Sequence, residues 1–185
     1  MPEANHFLGL ALVALGGLGV LAGAATLRFS AALRVGLLAF PRSKWPGWIL
    51  TAVCLLWVAW AISHAALGMF GGVKPYIPAL AVLAFAAIVY FLDELLSPRA
   101  LGGLLLLVAN PILNGVRWAD SAWRFAPVAI AYVWVVAGCA LMLHPWLFRR
   151  VVERFMSAPG SVRFAGWAKL AAGVVLLAAG FWQLR

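Results

Sequence analysis

Charge is what this chain has least of: Asp, Glu, Lys and Arg together make up 10% of its 185 residues, and only five are acidic. So little polar surface cannot coat a water-soluble globule, which excludes a soluble domain of any size. Cysteine is scarce too. Cys54 and Cys139 each stand alone inside an apolar run, without CxxC spacing, and read as small packing residues, not as a disulfide framework or metal site. No charged side chain falls near the middle of any long apolar run. Proton relays, ion pumps and voltage sensors need ionisable groups there, so those mechanisms are disfavoured. An HExxH helix, a GxSxG elbow and a Walker loop are all missing, and nothing pairs a nucleophile with a base. No catalytic residue, metal site or cofactor is therefore expected. His64 and His144 lie towards opposite ends of different runs, so they do not meet at one haem iron.

What the chain has instead is apolar length. It is 66% hydrophobic, with a mean hydropathy of +1.02. The runs are continuous and helix-length, where a membrane barrel would need short alternating segments, so helices are predicted to make the crossings. At about 20 residues per crossing the length allows roughly six spans with short connections. The expected fold is all-α: a polytopic transmembrane helix bundle forming a single domain over residues 1–185. Residues Met1 to His6 carry no positive stretch, and the first arginine, Arg28, lies beyond the first run. That run is expected to remain as a span and not to be removed as a leader.

The six runs cover residues 7–27, 45–66, 77–92, 100–116, 126–143 and 164–184. In the first, Gly9, Gly16 and Gly23 recur at intervals of seven, with Gly19 beside them. The stripe of Gly16, Gly19 and Gly23 predicts a face that another helix approaches closely, because lipid supplies no hydrophobic force to bring helices together and close packing takes its place. The fourth run is the shortest, near the lower limit for crossing, and is interrupted by Asn110-Pro111 and Asn114. Two shorter segments are amphipathic. Phe29, Ala32, Leu33, Leu37 and Phe40 recur at helical spacing, and Phe148, Val151, Val152 and Phe155 oppose Arg149, Arg150, Glu153 and Arg154. Both are predicted to be interfacial helices.

A seam of proline, arginine and glycine follows the first, third and fifth runs: Pro41-Arg42 before Gly47-Trp48, Pro98-Arg99 before Gly102, and Pro159 with Arg163 before Gly166-Trp167. The recurrence predicts three helical hairpins, over residues 6–66, 75–118 and 126–185, all in one orientation. Arg28, Arg34, Arg42, Lys44, Arg99, Arg149, Arg150, Arg154, Arg163 and Lys169 fall on the seam side, against Lys74, Arg117, Arg124 and Arg185 on the other, ten against four. The positive-inside rule then expects cytoplasmic seams and both termini outside, in a bacterial inner membrane. Trp45, Trp48, Trp146 and Trp167 would form an inner aromatic belt, and Trp118, Trp123 and Trp182 an outer one.

Four polar residues share a predicted depth in the outer half of the bundle: His64, Asn110, Asn114 and Tyr132. Asn110 and Asn114 lie on one helix face, and Pro111 leaves the Leu107 carbonyl without its donor. Together they are candidates for a small-ligand pocket; the competing reading is that each bonds a neighbouring helix as packing glue. Asp93-Glu94 is a second candidate, for a cation or a partner's arginines, or for pairing with Arg99 or the basic seams. Arg34, Arg42, Lys44, Arg149, Arg150 and Arg154 are expected to contact anionic lipid headgroups or a protein partner. The formal charge of +9 is not read as a nucleic-acid signal, because no soluble basic module exists to carry it.

Six spans in this length is similar in size to the substrate-binding subunits of energy-coupling vitamin-uptake transporters, a likeness of length and helix count without shared motifs. The leading expectation is a non-catalytic structural or accessory subunit of a larger membrane complex, partnered by other membrane subunits or its own copies. A small-solute or lipid-binding transport component with an outer-half pocket is the alternative.

Overall fold

The computed structural model describes residues 2–66, 68–92, 95–157 and 159–185, and all regular structure among them is helical. In chain order the helices are α1 (Pro2–Arg28), α2 (Ser30–Ala39), α3 (Lys44–His64), α4 (Ile77–Phe91), α5 (Leu96–Val116), α6 (Phe125–Leu143), α7 (Trp146–Met156) and α8 (Pro159–Gln183). Six helical segments are long and apolar enough to cross a membrane: α1, α3, α5, α6, α8, and α4 extended backwards to Gly71 by 3-10 turns. The remaining two, α2 and α7, are the short amphipathic segments, as their spacing predicts. Asp93 and Glu94 lie outside the described residues.

Proline sets where the helices begin. Pro46, Pro78, Pro98, Pro127 and Pro159 all fall in the first turn of a long helix, where the absent N–H has no intrahelical acceptor to leave empty. The second and third seams are consequently not breaks between helices but the opening turns of α5 and α8. This lengthens the fourth run to 21 residues, about 31 Å at 1.5 Å per residue, enough for a full crossing. Leu95, immediately before α5, has a φ of 56°, a left-handed conformation that strains a residue with a side chain.

Two glycine ladders join α1 to α8. A Cβ at Gly16 would lie 2.8 Å from the Gly173 carbonyl, one at Gly23 would lie 2.9 Å from the Gly166 carbonyl, and one at Gly180 would lie 3.0 Å from the Gly9 carbonyl. The pairs Gly9–Gly180, Gly16–Gly173 and Gly23–Gly166 advance in opposite directions, so the two helices run antiparallel in backbone contact. A seven-residue repeat on both partners keeps the glycines in the seam when the helices wind gently around each other. Gly19 joins them, 3.1 Å from the Gly173 Cα by the same measure. This is the most extensive pairing in the bundle, and it brings both termini to one end.

The other pairings radiate from α5. Gly102 and Gly138 bring α5 against α6, a Cβ on either falling 2.7 Å from the other's carbonyl oxygen. On α3, Gly47 faces Ser97 and the Cys54 thiol donates to the Ala100 carbonyl at 3.6 Å, so α3 and α5 run parallel. The Phe7 ring lies over Gly115, where α1 reaches the far end of α5. By contrast, α4 packs lightly, and mainly on α3. Helices joined by a seam are thus not each other's main neighbours: α1 takes α8 in preference to α3, and α5 takes α3 and α6 in preference to α4.

The buried core sits at the end that carries the termini, where Leu8 and Leu12 of α1, Val116, Ala119 and Ala179 of α8 are closed off together. Polar contacts stitch the 117–124 loop to both terminal helices there. Gln183 Nε2 donates to Ser121 Oγ at 2.7 Å, and the Asp120 N–H donates to Asn5 Oδ1 at 3.2 Å. Trp118, Trp123 and Trp182 are exposed around this end, and Trp45, Trp146 and Trp167 around the other.

Candidate functional site

His64 is the last residue of α3 and is exposed. Its Nδ1 lies 2.8 Å from the Trp60 carbonyl, a bond that requires the proton on Nδ1, and its ring lies 4.8 Å from that of Trp60. Asn114 Nδ2 donates to Asn110 Oδ1 at 2.9 Å within α5, and both side chains are exposed. Tyr132 is exposed on α6. Among the described residues no hydrogen bond joins these three features to one another, and none of the four residues lines a described cavity. The two amides and the imidazole instead satisfy part of their hydrogen-bonding capacity one helical turn away.

The opposite end of the bundle is where side chains from distant parts of the chain do meet. Ser97, buried in the first turn of α5, donates its hydroxyl to the Ser43 carbonyl at 2.6 Å, tying the second seam to the first. The amphipathic helix before the third seam joins them: α2 packs on α7, and the Phe40 and Phe148 rings lie 5.3 Å apart. Strained Leu95 completes the junction, lining a small cavity of about 240 Å³ with Pro41, Pro145 and Trp146. The apolar sides of both amphipathic helices are therefore partly spent on each other.

Their basic sides remain outward. Arg149 Nε donates to Glu153 at 2.6 Å in an exposed pair, and Arg150 stands over the Trp146 ring at 4.6 Å. Arg42 and Arg149 share a cavity of about 500 Å³ with Glu153. A larger cleft, about 840 Å³, opens between α2 and the start of α8, lined by Arg34 and Arg163 together with Ser30. No protein family, curated protein or solved structure was found to match the chain.

Of the expected contact residues, Arg34, Arg42 and Arg149 line described cavities at this end, while Arg150 stacks on Trp146 one turn back in α7 and lines none of them. Arg163, Ser30 and Ser97 were not singled out by sequence reasoning as site residues. Arg163 had one usable signal, its place four residues after Pro159 in a helix-opening turn. The hydroxyls had none, because which serine faces a neighbour depends on packing. Chemically, the surface offers several guanidinium donors and one described carboxylate, Glu153, which already has a partner. It can hold anions; it presents no nucleophile and base in contact among the described residues.

Proposed function

We propose that the protein is a non-catalytic structural or accessory subunit of a larger membrane complex, with its basic seams in the cytoplasm and both termini outside. The observation that carries this reading is the Asn110–Asn114 pair, which is exposed on the outer half of a spanning helix. Asn110 lies about 9 Å along the axis from the end of α5, at 1.5 Å per residue. One hydrogen bond between the two amides leaves further donors and acceptors facing lipid, and such groups are normally covered by a neighbouring helix. The sparse packing of α4, mainly against α3, supports the same reading, since it leaves an apolar helix with most of its circumference free for a partner.

The test is purification in a mild detergent followed by mass determination and identification of co-purifying chains. A stoichiometric partner, or a second copy, that is lost on Asn110→Leu/Asn114→Leu is the expected result. A monomer in several mild detergents, unchanged by those substitutions, would refute the proposal. The alternative of an outer-half ligand pocket draws no support from the placement of His64, Asn110, Asn114 and Tyr132.

A further inference from the structure

We infer that the cleft between α2 and the start of α8 is a binding site for the phosphate headgroup of an anionic phospholipid. Arg34 comes from α2 and Arg163 from α8, so two exposed arginines far apart in sequence line one cavity. Neither makes a hydrogen bond or ion pair with any described residue, and no carboxylate lines the cleft. Two like charges held beside one void repel each other, and an anion between them removes the repulsion while accepting forked hydrogen bonds from both. The Ser30 hydroxyl offers one more donor at the same wall.

Size and lining select the kind of anion. At about 840 Å³ the cleft is far larger than a lone phosphate ion, for which a water-sized share of about 30 Å³ per heavy group is the relevant scale. Leu27, Val35, Met156 and Val162 supply apolar wall beside the arginines. A soluble phosphate would leave that wall wet, whereas a phospholipid covers it with its glycerol and first methylenes. The cleft also lies where α1 ends and α8 begins, at the rim of the spans, which is the depth of headgroups. The site requires no protein partner, so it stands or falls separately from the subunit proposal.

The experiment is native mass spectrometry of the full chain in neutral detergent, titrated with phosphatidylglycerol, with phosphatidylcholine and with inorganic phosphate. One phosphatidylglycerol is expected to bind in preference to phosphatidylcholine. Arg34→Gln/Arg163→Gln should weaken it about tenfold or more, since each charged hydrogen bond lost is worth roughly that factor. Arg34→Lys/Arg163→Lys keeps the charge and should weaken it less, through loss of the forked geometry. Lys169→Gln, further along α8, exposed and not among the cleft residues, should leave binding within about twofold, where purely diffuse attraction would lower it equally. Equal binding of phosphatidylcholine, equal effects of the Lys169 and cleft substitutions, or displacement of the lipid by low-millimolar phosphate would each overturn the inference.

Discussion

Replacing Gly16 with alanine, against Gly17 with alanine as its neighbour control, isolates the contact that holds the two ends of the chain together. Both residues sit mid-α1, so both substitutions gain the same helix propensity, about 1 kcal/mol. Their surroundings differ completely. A Cβ at Gly16 would lie 2.7 Å from the Leu177 backbone nitrogen and 2.8 Å from the Gly173 oxygen, while one at Gly17 meets nothing within 4 Å. The Gly16 neighbours are backbone atoms of a helix and cannot rotate aside. Restoring an ordinary separation of about 3.5 Å would push α1 and α8 apart locally by roughly 0.8 Å, loosening the contacts at Gly9 and Gly23 as well. Overpacking of this kind costs about 1–3 kcal/mol, and the difference between the two variants should fall in that range. The measurement is unfolding in mixed micelles on titration with SDS, followed by circular dichroism. Gly17→Ala is expected to match or exceed the wild type, with Gly16→Ala less stable than Gly17→Ala. Gly173→Ala, 2.6 Å from the Val20 nitrogen, should resemble Gly16→Ala, and the double variant should lose less than the sum because one separation relieves both clashes. Equal stability of Gly16→Ala and Gly17→Ala would refute the backbone contact between α1 and α8.

Thr51 is buried in the α3–α5 contact, and its hydroxyl has no partner among the described residues, so Thr51→Val should raise stability by about 1 kcal/mol in the same titration; a comparable loss would contradict that account. Ser97→Ala should lower stability by about 1 kcal/mol, because it removes the bond and leaves the part-buried Ser43 carbonyl without this donor, and an unchanged midpoint would count against the junction of the first two seams. In a background without Cys54 and Cys139, a membrane-impermeant thiol reagent applied to intact cells should modify Ala65→Cys and spare Ser157→Cys. Both positions are exposed and they belong to opposite ends of the bundle, so the reverse pattern would invert the proposed orientation.

The candidate sites divide along the same physical line as the helix contacts. Chemical type and depth are readable from a sequence: Asn110 and Asn114 share a helix face, and a hydrogen bond joins them on it. Direction around the helix axis relative to neighbours is not, which is why four polar residues of similar expected depth line no common described cavity. At the basic end, Arg34 and Arg149 are recognisable from amphipathic spacing and Arg42 from its place in the first seam, yet the cleft that brings Arg34 beside Arg163 depends on where α2 lies relative to the start of α8.

By itself the sequence determined that the chain is all-helical, that six segments are long and apolar enough to span a membrane, and that α2 and α7 are amphipathic, because helix length, hydropathy and periodicity are local properties. It also carried both glycine ladders, since Gly166, Gly173 and Gly180 repeat the seven-residue interval of Gly9, Gly16 and Gly23. One ladder alone says that some backbone comes close. Only the tertiary structure decided that the two ladders meet each other, that α3 turns its Gly47 and Cys54 face to α5, and that α4 is left at the edge. Within lipid no hydrophobic gain favours one apolar neighbour over another, so the choice rests on which small-residue faces fit, and that is a property of pairs of helices.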